Sequence, residues 1–445
     1  MFKHLNLETK IVCLIILTIG FQQFPVIRVG GSFKIYELFA IALLMISLFS
    51  LRQIRFVTML KFYAFGFFVL SPAISLLLSY LFLDYPSGFY NKYLAASSFK
   101  FNYWIFPALQ LMYMFFNYVV YYSITEAKKL YEVFDKVLIA LIWIGTGIAL
   151  YSLFAMFIVD VISKLPEFLQ NKQEFKFRST GLSQEPSFYV LFQTWIVLII
   201  FYAKKLFSKT TWIGLFTVNL ISLVFTFSTT LVALILIIGL SFFILKNPIK
   251  IKLTLLAGIV VLSLVVYVIL LNSSNWNYIE TFFINKLTNF FSAPRHTMDS
   301  GSFRSYTTRI GLAIFKDFPF FGVGVGNSIY YMYIYEHKMG ILVFGEKLFA
   351  GSFPQNSFSI VLSEQGILGG LFFAALLGKM FLEFWKYRNR DEFSRMFFIG
   401  YLFNIAALMT IAPVYSLFIW VFPAVGMGYI NYNFKSNYEL EHQVG

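Results

Sequence analysis

The chain has 445 residues, of which 59% are hydrophobic and only 13% charged, with a mean hydropathy of +0.74 and a formal net charge of +14. Too few charged residues are present to build a water-facing surface, so the composition excludes a soluble globular protein and defines a polytopic integral membrane protein. The positive charge is accounted for below by orientation in the bilayer, without nucleic acid.

About twelve apolar runs follow one another, near residues 11–28, 36–51, 57–83, 102–124, 137–160, 187–203, 211–227, 230–245, 253–271, 357–385, 396–411 and 414–431. In hydrocarbon a backbone satisfies its polar groups only within a helix or a closed barrel, and continuous apolar runs lack the alternation of a barrel strand. The expectation is therefore an all-α polytopic fold of about 12 transmembrane helices. No internal repeat, low-complexity tract or linker divides residues 1–445, which read as a single transmembrane domain.

The first run is preceded by Lys3 and Lys10 and lacks a small-residue cleavage site, so it reads as a retained anchor. Cys13, the only cysteine, lies inside it, which leaves no disulfide framework and no cysteine metal site. With the N-terminus inside, Lys and Arg are roughly three times denser in the inner segments than in the outer ones, which is the bias that orients membrane proteins. Both termini are then cytoplasmic. Lys61 and Lys379 lie near span ends, where Lys379 can pair with Glu383 four residues on. A large outer loop covers 272–355, with smaller outer loops at 161–186 and 84–101. The outer segments still hold fifteen cationic side chains, although that side normally sheds them. An anionic ligand would account for their retention.

Three constellations stand at the outer boundary. The first, FRSTGLSQEPSFY, carries Arg178, Gly181, Glu185 and Pro186 just before a span; Pro186 suits a first helical turn. Arg178 is either an interfacial anchor or a bidentate phosphate ligand, and Glu185 either a helix N-terminal acid or a functional group. The second is SGSFRSYTTRIGLAIFKDFPFFGVGVGN. Ile310, Ala313, Ile314 and Phe318 recur with helical spacing, which predicts an amphipathic helix with Arg304 and Arg309 on or near its polar side. Pro319 ends it, and Gly322, Gly324 and Gly326 read as a flexible turn. No strand precedes that run, so it is not a nucleotide-binding fingerprint. The third, PQNSFSIVLSEQGILGG, places Gln355 and Asn356 at re-entry. Gln365, Gly366, Gly369 and Gly370 interrupt the following span, where small residues allow close packing or a break. An intramembrane Glu364 marks either a structural contact or the site.

The order of the pieces, R-x-x-G-L-x-x-E-P-S after the fifth span, then R with P-x-x-G-x-G about fifteen residues on, then N-S-x4-L-x-E-x-G-x-x-G at re-entry, resembles the O-antigen polymerase and O-antigen ligase superfamily. The opening FPVIRVGGSFKIYELF is similar to that of its polymerase branch. The resemblance implies a GT-C-like, metal-independent, inverting glycosyltransferase with no cofactor, working at the periplasmic face of the bacterial inner membrane. Its donor and acceptor are undecaprenyl-pyrophosphate-linked glycans in membrane lipid, and its implied partners are a polysaccharide co-polymerase that regulates chain length and a flippase. Arg178 matches the family's arginine before the G-L turn, and Arg304, fifteen positions before Pro319, matches the loop arginine; both would hold the donor pyrophosphate, with Arg309 assisting. Ligases of the superfamily carry a histidine where this chain has Gln355. A carboxamide cannot take up a proton near neutral pH, so Gln355 and Asn356 read as acceptor-binding groups, and polymerase is favoured over ligase. Glu185 is the first candidate for the base, ahead of His296 and His337, and a reaction without a base is the alternative. Tyr306, Tyr330, Tyr331 and Trp276 are candidates to stack on sugar faces. A transporter would show charged residues along a central path or inverted repeats, and this chain shows neither.

Overall fold

The computed structural model of the chain describes residues 4–22, 26–28, 32–49, 58–84, 104–157, 179–183, 186–226, 228, 230, 231, 237, 239, 300–339, 353–410 and 413–435. The apolar run at 253–271, nearly all of that at 230–245, the loop at 161–186 up to Arg178, nearly all of the loop at 84–101 and much of 272–355 lie outside the described residues. So do Arg178, Glu185, His296 and Trp276.

The described architecture is helical apart from one short hairpin. In chain order the helices are α1 (Leu7–Thr18), α2 (Ile35–Phe49), α3 (Met59–Phe82), α4 (Ile105–Glu126), α5 (Phe134–Phe157), α6 (Pro186–Tyr202), α7 (Lys209–Val224), α8 (Ser300–Asp317), α9 (Ser328–Lys338), α10 (Ser357–Tyr387), α11 (Glu392–Thr410) and α12 (Leu417–Ile430). Between α1 and α2, β1 (Val26–Arg28) pairs antiparallel with β2 (Ser32–Lys34), Ile27 facing Phe33. Among these helices α3, α5 and α10 are long and apolar enough to cross a membrane, and α2, α6 and α7 are apolar but shorter. The chain is an integral membrane protein.

The helices pack as one bundle: α4 against α12, α6 against α7 and α11, and α10 against α3, α8 and α11. Its centre is aromatic. Phe67 stacks on Phe373 with ring centroids 4.8 Å apart, Phe68 meets Trp420 edge-on at 4.9 Å, and Trp195 stacks on Phe422 at 5.0 Å. Small residues let these rings in; Gly400, for one, lies directly under the Trp195 indole. At one end of the bundle, ion pairs join Lys61 to Glu126 (2.7 Å) and Lys205 to Glu392 (3.3 Å), and the expected Lys379–Glu383 pair forms at 3.0 Å.

The opposite end is organised by a break in α10. At Gly366 the backbone turns to φ 61°, ψ −157°, a region that only glycine visits without strain. This takes the Ile367 and Leu368 N–H groups off the helical ladder, and they donate instead to the carbonyls of Pro319 (2.7 Å) and Phe320 (3.4 Å). On the other side of the break, the Ser363 and Glu364 carbonyls accept from the Val323 and Gly324 N–H groups, both at 2.9 Å. The segment from Pro319 to Asn327 is therefore stitched into the helix. Gly322, Gly324 and Gly326, expected to form a flexible turn, all hold positive φ in this fixed docking. A Cβ on Gly322 would stand 2.4 Å from the Glu364 carbonyl carbon, so backbone meets backbone there.

Three serines on one face of α3 complete the joint. The Ser71 hydroxyl donates to Gln365 Oε1 at 2.6 Å, Ser75 sits between the carbonyls of Phe321 and Glu364, and Ser79 receives the Asn327 amide at 3.4 Å. Glu364 is fully buried, with one carboxylate oxygen accepting from Ser328 at 2.6 Å and the other from the Tyr415 hydroxyl. Of the two readings of this residue, the geometry favours the structural contact. Gly366→Ala should destabilise the detergent-solubilised protein by more than about 3 kcal/mol, from glycine-only backbone combined with a Cβ 2.5 Å from Phe320. Gly378→Ala in the same helix, where nothing lies within 4 Å, should leave the thermal midpoint unchanged.

Candidate active site

Over the end of the bundle that holds the break lie α8 and α9, and α8 is the amphipathic helix expected from its spacing. Ile310 and Ile314 are fully buried, while Ala313 and Phe318 flank a second apolar cluster that also contains Phe106, Val323, Ile329 and Met332. Tyr306, Tyr330 and Tyr331 are buried in this cluster as well, so packing claims the three tyrosines considered for sugar stacking. Gly311 brings α8 against the re-entry segment; a Cβ there would stand 2.3 Å from Ser359 Oγ and 2.8 Å from Pro354. The Ser359 hydroxyl donates to the Thr308 carbonyl at 2.9 Å.

Arg304 and Gln355 are tied to the same turn of α8. The Gln355 N–H donates to Thr307 Oγ1 at 3.2 Å, and the Thr307 hydroxyl donates to the Arg304 carbonyl at 3.1 Å. The Gln355 side chain is half-buried, its amide 3.5 Å from the Phe353 carbonyl. Asn356 caps α10: its Oδ1 accepts from the N–H groups of Phe358 (2.9 Å) and Ser359 (3.2 Å), and its Nδ2 donates to the Met409 carbonyl at 2.7 Å. Arg309 lies five residues beyond Arg304, about 140° further round the helix by helical geometry, and is exposed. It therefore does not share Arg304's surroundings.

The Arg304 guanidinium, half-buried, donates from Nη2 to the Ser187 hydroxyl at 3.2 Å. Ser187 stands in the first turn of α6, directly after the segment containing Arg178 and Glu185. The chain just beyond Arg178 is held in turn by a web of hydroxyls. Ser179 Oγ lies 2.7 Å from Ser152 Oγ and 2.9 Å from Ser222 Oγ, the Tyr189 hydroxyl lies 2.7 Å from Ser222, and Ser152 Oγ accepts the Thr180 and Gly181 N–H groups. The Ser179 N–H donates to the Phe225 carbonyl at 2.9 Å. Sequence reasoning passed over these hydroxyls, because single serines in apolar runs resemble ordinary helix residues.

Electrostatically, α8 and α9 carry two contrasting carboxylates. Asp317 at the end of α8 is exposed and bonded by Lys338 and by the Tyr335 hydroxyl (2.6 Å), which hold it below the usual carboxylate range. Glu336 shares the fully buried face of Ile329 and Met332, and neither of its oxygens has a hydrogen-bond partner among the described residues. Burial pushes its carboxyl up to about 7, against the opposing charge of His337. Among the described residues no group of three or more His, Cys, Asp or Glu side chains is placed to hold a metal ion.

The described residues form a helical membrane bundle whose end is covered by an arginine-bearing amphipathic helix, stitched through a glycine run into a broken span. Residues 214–374, from α7 through the loop helices into α10, match the model of a family described as O-Antigen ligase. Over this segment the chain is similar to the O-antigen polymerase and ligase superfamily. No curated protein matches the chain.

Glu336 yields a pH prediction. Its folded pKa of about 7 exceeds the ordinary 4.5, so between these values the folded state keeps a proton that the unfolded chain has released. Stability from this group is highest below about pH 4.5 and falls as pH rises through about 7. Glu336→Gln should therefore raise the thermal midpoint at pH 8 and have little effect at pH 4.5; an equal change at both would show that burial of this carboxyl is not what costs stability.

Proposed function

We propose that the chain is a surface-polysaccharide polymerase that joins undecaprenyl-pyrophosphate-linked repeat units at the periplasmic face of the inner membrane. In this reading it has a GT-C-like arrangement of twelve spans with both termini cytoplasmic. The growing glycan on undecaprenyl pyrophosphate is the donor. A hydroxyl at the non-reducing end of a new lipid-linked repeat unit attacks the donor's anomeric carbon, the bond from that carbon to the pyrophosphate oxygen breaks, and the configuration inverts. The hydroxyl proton passes to Glu185 or to the departing pyrophosphate, and Arg178 and Arg304 stabilise the negative charge that the leaving group gains.

The observation that carries this reading is the contact of Arg304 with Ser187. It brings the loop arginine to the first turn of the helix that follows Arg178, two parts of the chain more than a hundred residues apart. A guanidinium held at that junction suits an anionic leaving group, and the family match supports a lipid-linked glycan as substrate. Gln355 favours polymerase over ligase, since it stands where ligases carry histidine and cannot serve as a base.

The test is incubation of the purified protein with a lipid-linked repeat unit, with and without chelator. A ladder of products in both is expected, and Arg304→Ala and Arg178→Ala should each reduce turnover by at least about a hundredfold while the protein stays folded in the membrane. Transfer only to a lipid A core acceptor would assign the ligase activity instead. Long products from both arginine variants would remove the proposed site.

A further inference from the structure

Beside Arg304 the buried hydroxyls offer more donors than acceptors. Ser187, Ser228 and Thr230 are 6%, 5% and 0% exposed. Arg304 Nη2 donates to Ser187 Oγ at 3.2 Å, the Ser187 and Ser228 oxygens lie 3.3 Å apart, and the Thr230 N–H donates to Ser228 Oγ at 3.3 Å. Only one hydrogen can lie between the two serines. Whichever serine donates it, the hydroxyl hydrogen of the other has no acceptor among the described residues, and Thr230 Oγ1 has no hydrogen-bond partner among them either.

Serines and threonines in apolar helices ordinarily return this hydrogen to a carbonyl one turn back, as Thr18, Ser47 and Thr146 do here. Ser187 cannot do so, because it stands in the first turn of α6. That turn adds N–H groups and the positive end of a helix dipole to the same spot. A buried polar group without a partner costs free energy, so a spare serine hydrogen next to a guanidinium, with the unpartnered hydroxyl of Thr230 two residues beyond Ser228, forms a site that an acceptor-rich anion would complete.

We propose that Ser187, Ser228 and Thr230 bind the non-bridging oxygens of the lipid-linked diphosphate, while Arg304 balances its charge. This rests on the polymerase reading and assigns that reading's leaving group a hydroxyl cradle. Arg304 supplies charge, and the three hydroxyls supply direction, which a flexible guanidinium stem does not fix by itself. The cradle is built from three separate segments, α6, the 228–230 stretch and α8, so it exists only when the loop helix is docked.

The test measures binding of undecaprenyl pyrophosphate, undecaprenyl monophosphate and inorganic pyrophosphate to the full chain in nanodiscs. Ser228→Ala and the near-isosteric Thr230→Val should each weaken binding of the lipid diphosphate about tenfold, and Thr230→Ser should restore it, since one hydrogen bond to a charged group is lost and regained. Unchanged thermal midpoints would show that the variants are folded. If Ser228→Ala and Thr230→Val bind like the unmodified chain while Arg304→Ala does not, the hydroxyl cradle is overturned and the polymerase reading stands. If the unmodified chain binds no lipid diphosphate, both fall. Equal binding of inorganic pyrophosphate and the lipid form would show that the cradle recognises the diphosphate alone; tighter binding of the lipid form would show that the adjoining apolar surface contributes.

Discussion

The arrangement depends on one constraint: a helix broken at Gly366 must have its freed backbone groups satisfied where water is scarce. Two N–H groups and two carbonyls come off the ladder, and each left bare would cost about 1–3 kcal/mol or more. Together that is on the order of the whole stability of a typical domain. The break can therefore exist only with the Pro319–Asn327 segment in place, bonding to both sides of it. Docking of that segment fixes the end of α8 and the start of α9. The loop layer is in this sense a continuation of the membrane bundle.

Two further devices extend the same logic outward. The α3 serines and the pair formed by Ser328 and Tyr415 around Glu364 satisfy polar groups that the joint would otherwise strand. At the head of α6, the web of Ser152, Ser179, Ser222 and Tyr189 holds the chain directly after Arg178. Hydroxyls suit this work because each is both donor and acceptor and carries no charge to desolvate. Against this satisfied background the spare hydrogens beside Arg304 stand out, as does the unpartnered carboxyl of Glu336.

Local pattern made several elements legible. Apolar run length gave the helices of the bundle, Pro186 gave the start of α6, and the spacing of Ile310 and Ile314 gave the buried face of α8. The small residues after Gln365 gave an expectation of close packing or a break, and Glu364 an expectation of a contact or a site. In sequence the glycine run reads as flexible because its partner, the backbone of Ser363 and Glu364, is about forty residues away in the chain. Asn356 reads in sequence as an acceptor-binding group, and its capping role appears only once the entry angle of α10 is known. The tyrosines of α8 and α9 illustrate the same difficulty: an aromatic side chain carries the same letter whether it faces a sugar or a core.

By itself the sequence determined that this is a helical membrane protein with arginines held at one boundary, because hydropathy and charge are properties of single segments. It also determined the order of the motifs, through which the chain resembles the superfamily. Only the tertiary structure decided that Arg304 meets Ser187, that Arg309 faces away, and that a glycine run closes a broken helix. These outcomes depend on pairing between segments from about forty to more than a hundred residues apart, or on the direction a helix face takes once docked, and neither is encoded in local spacing.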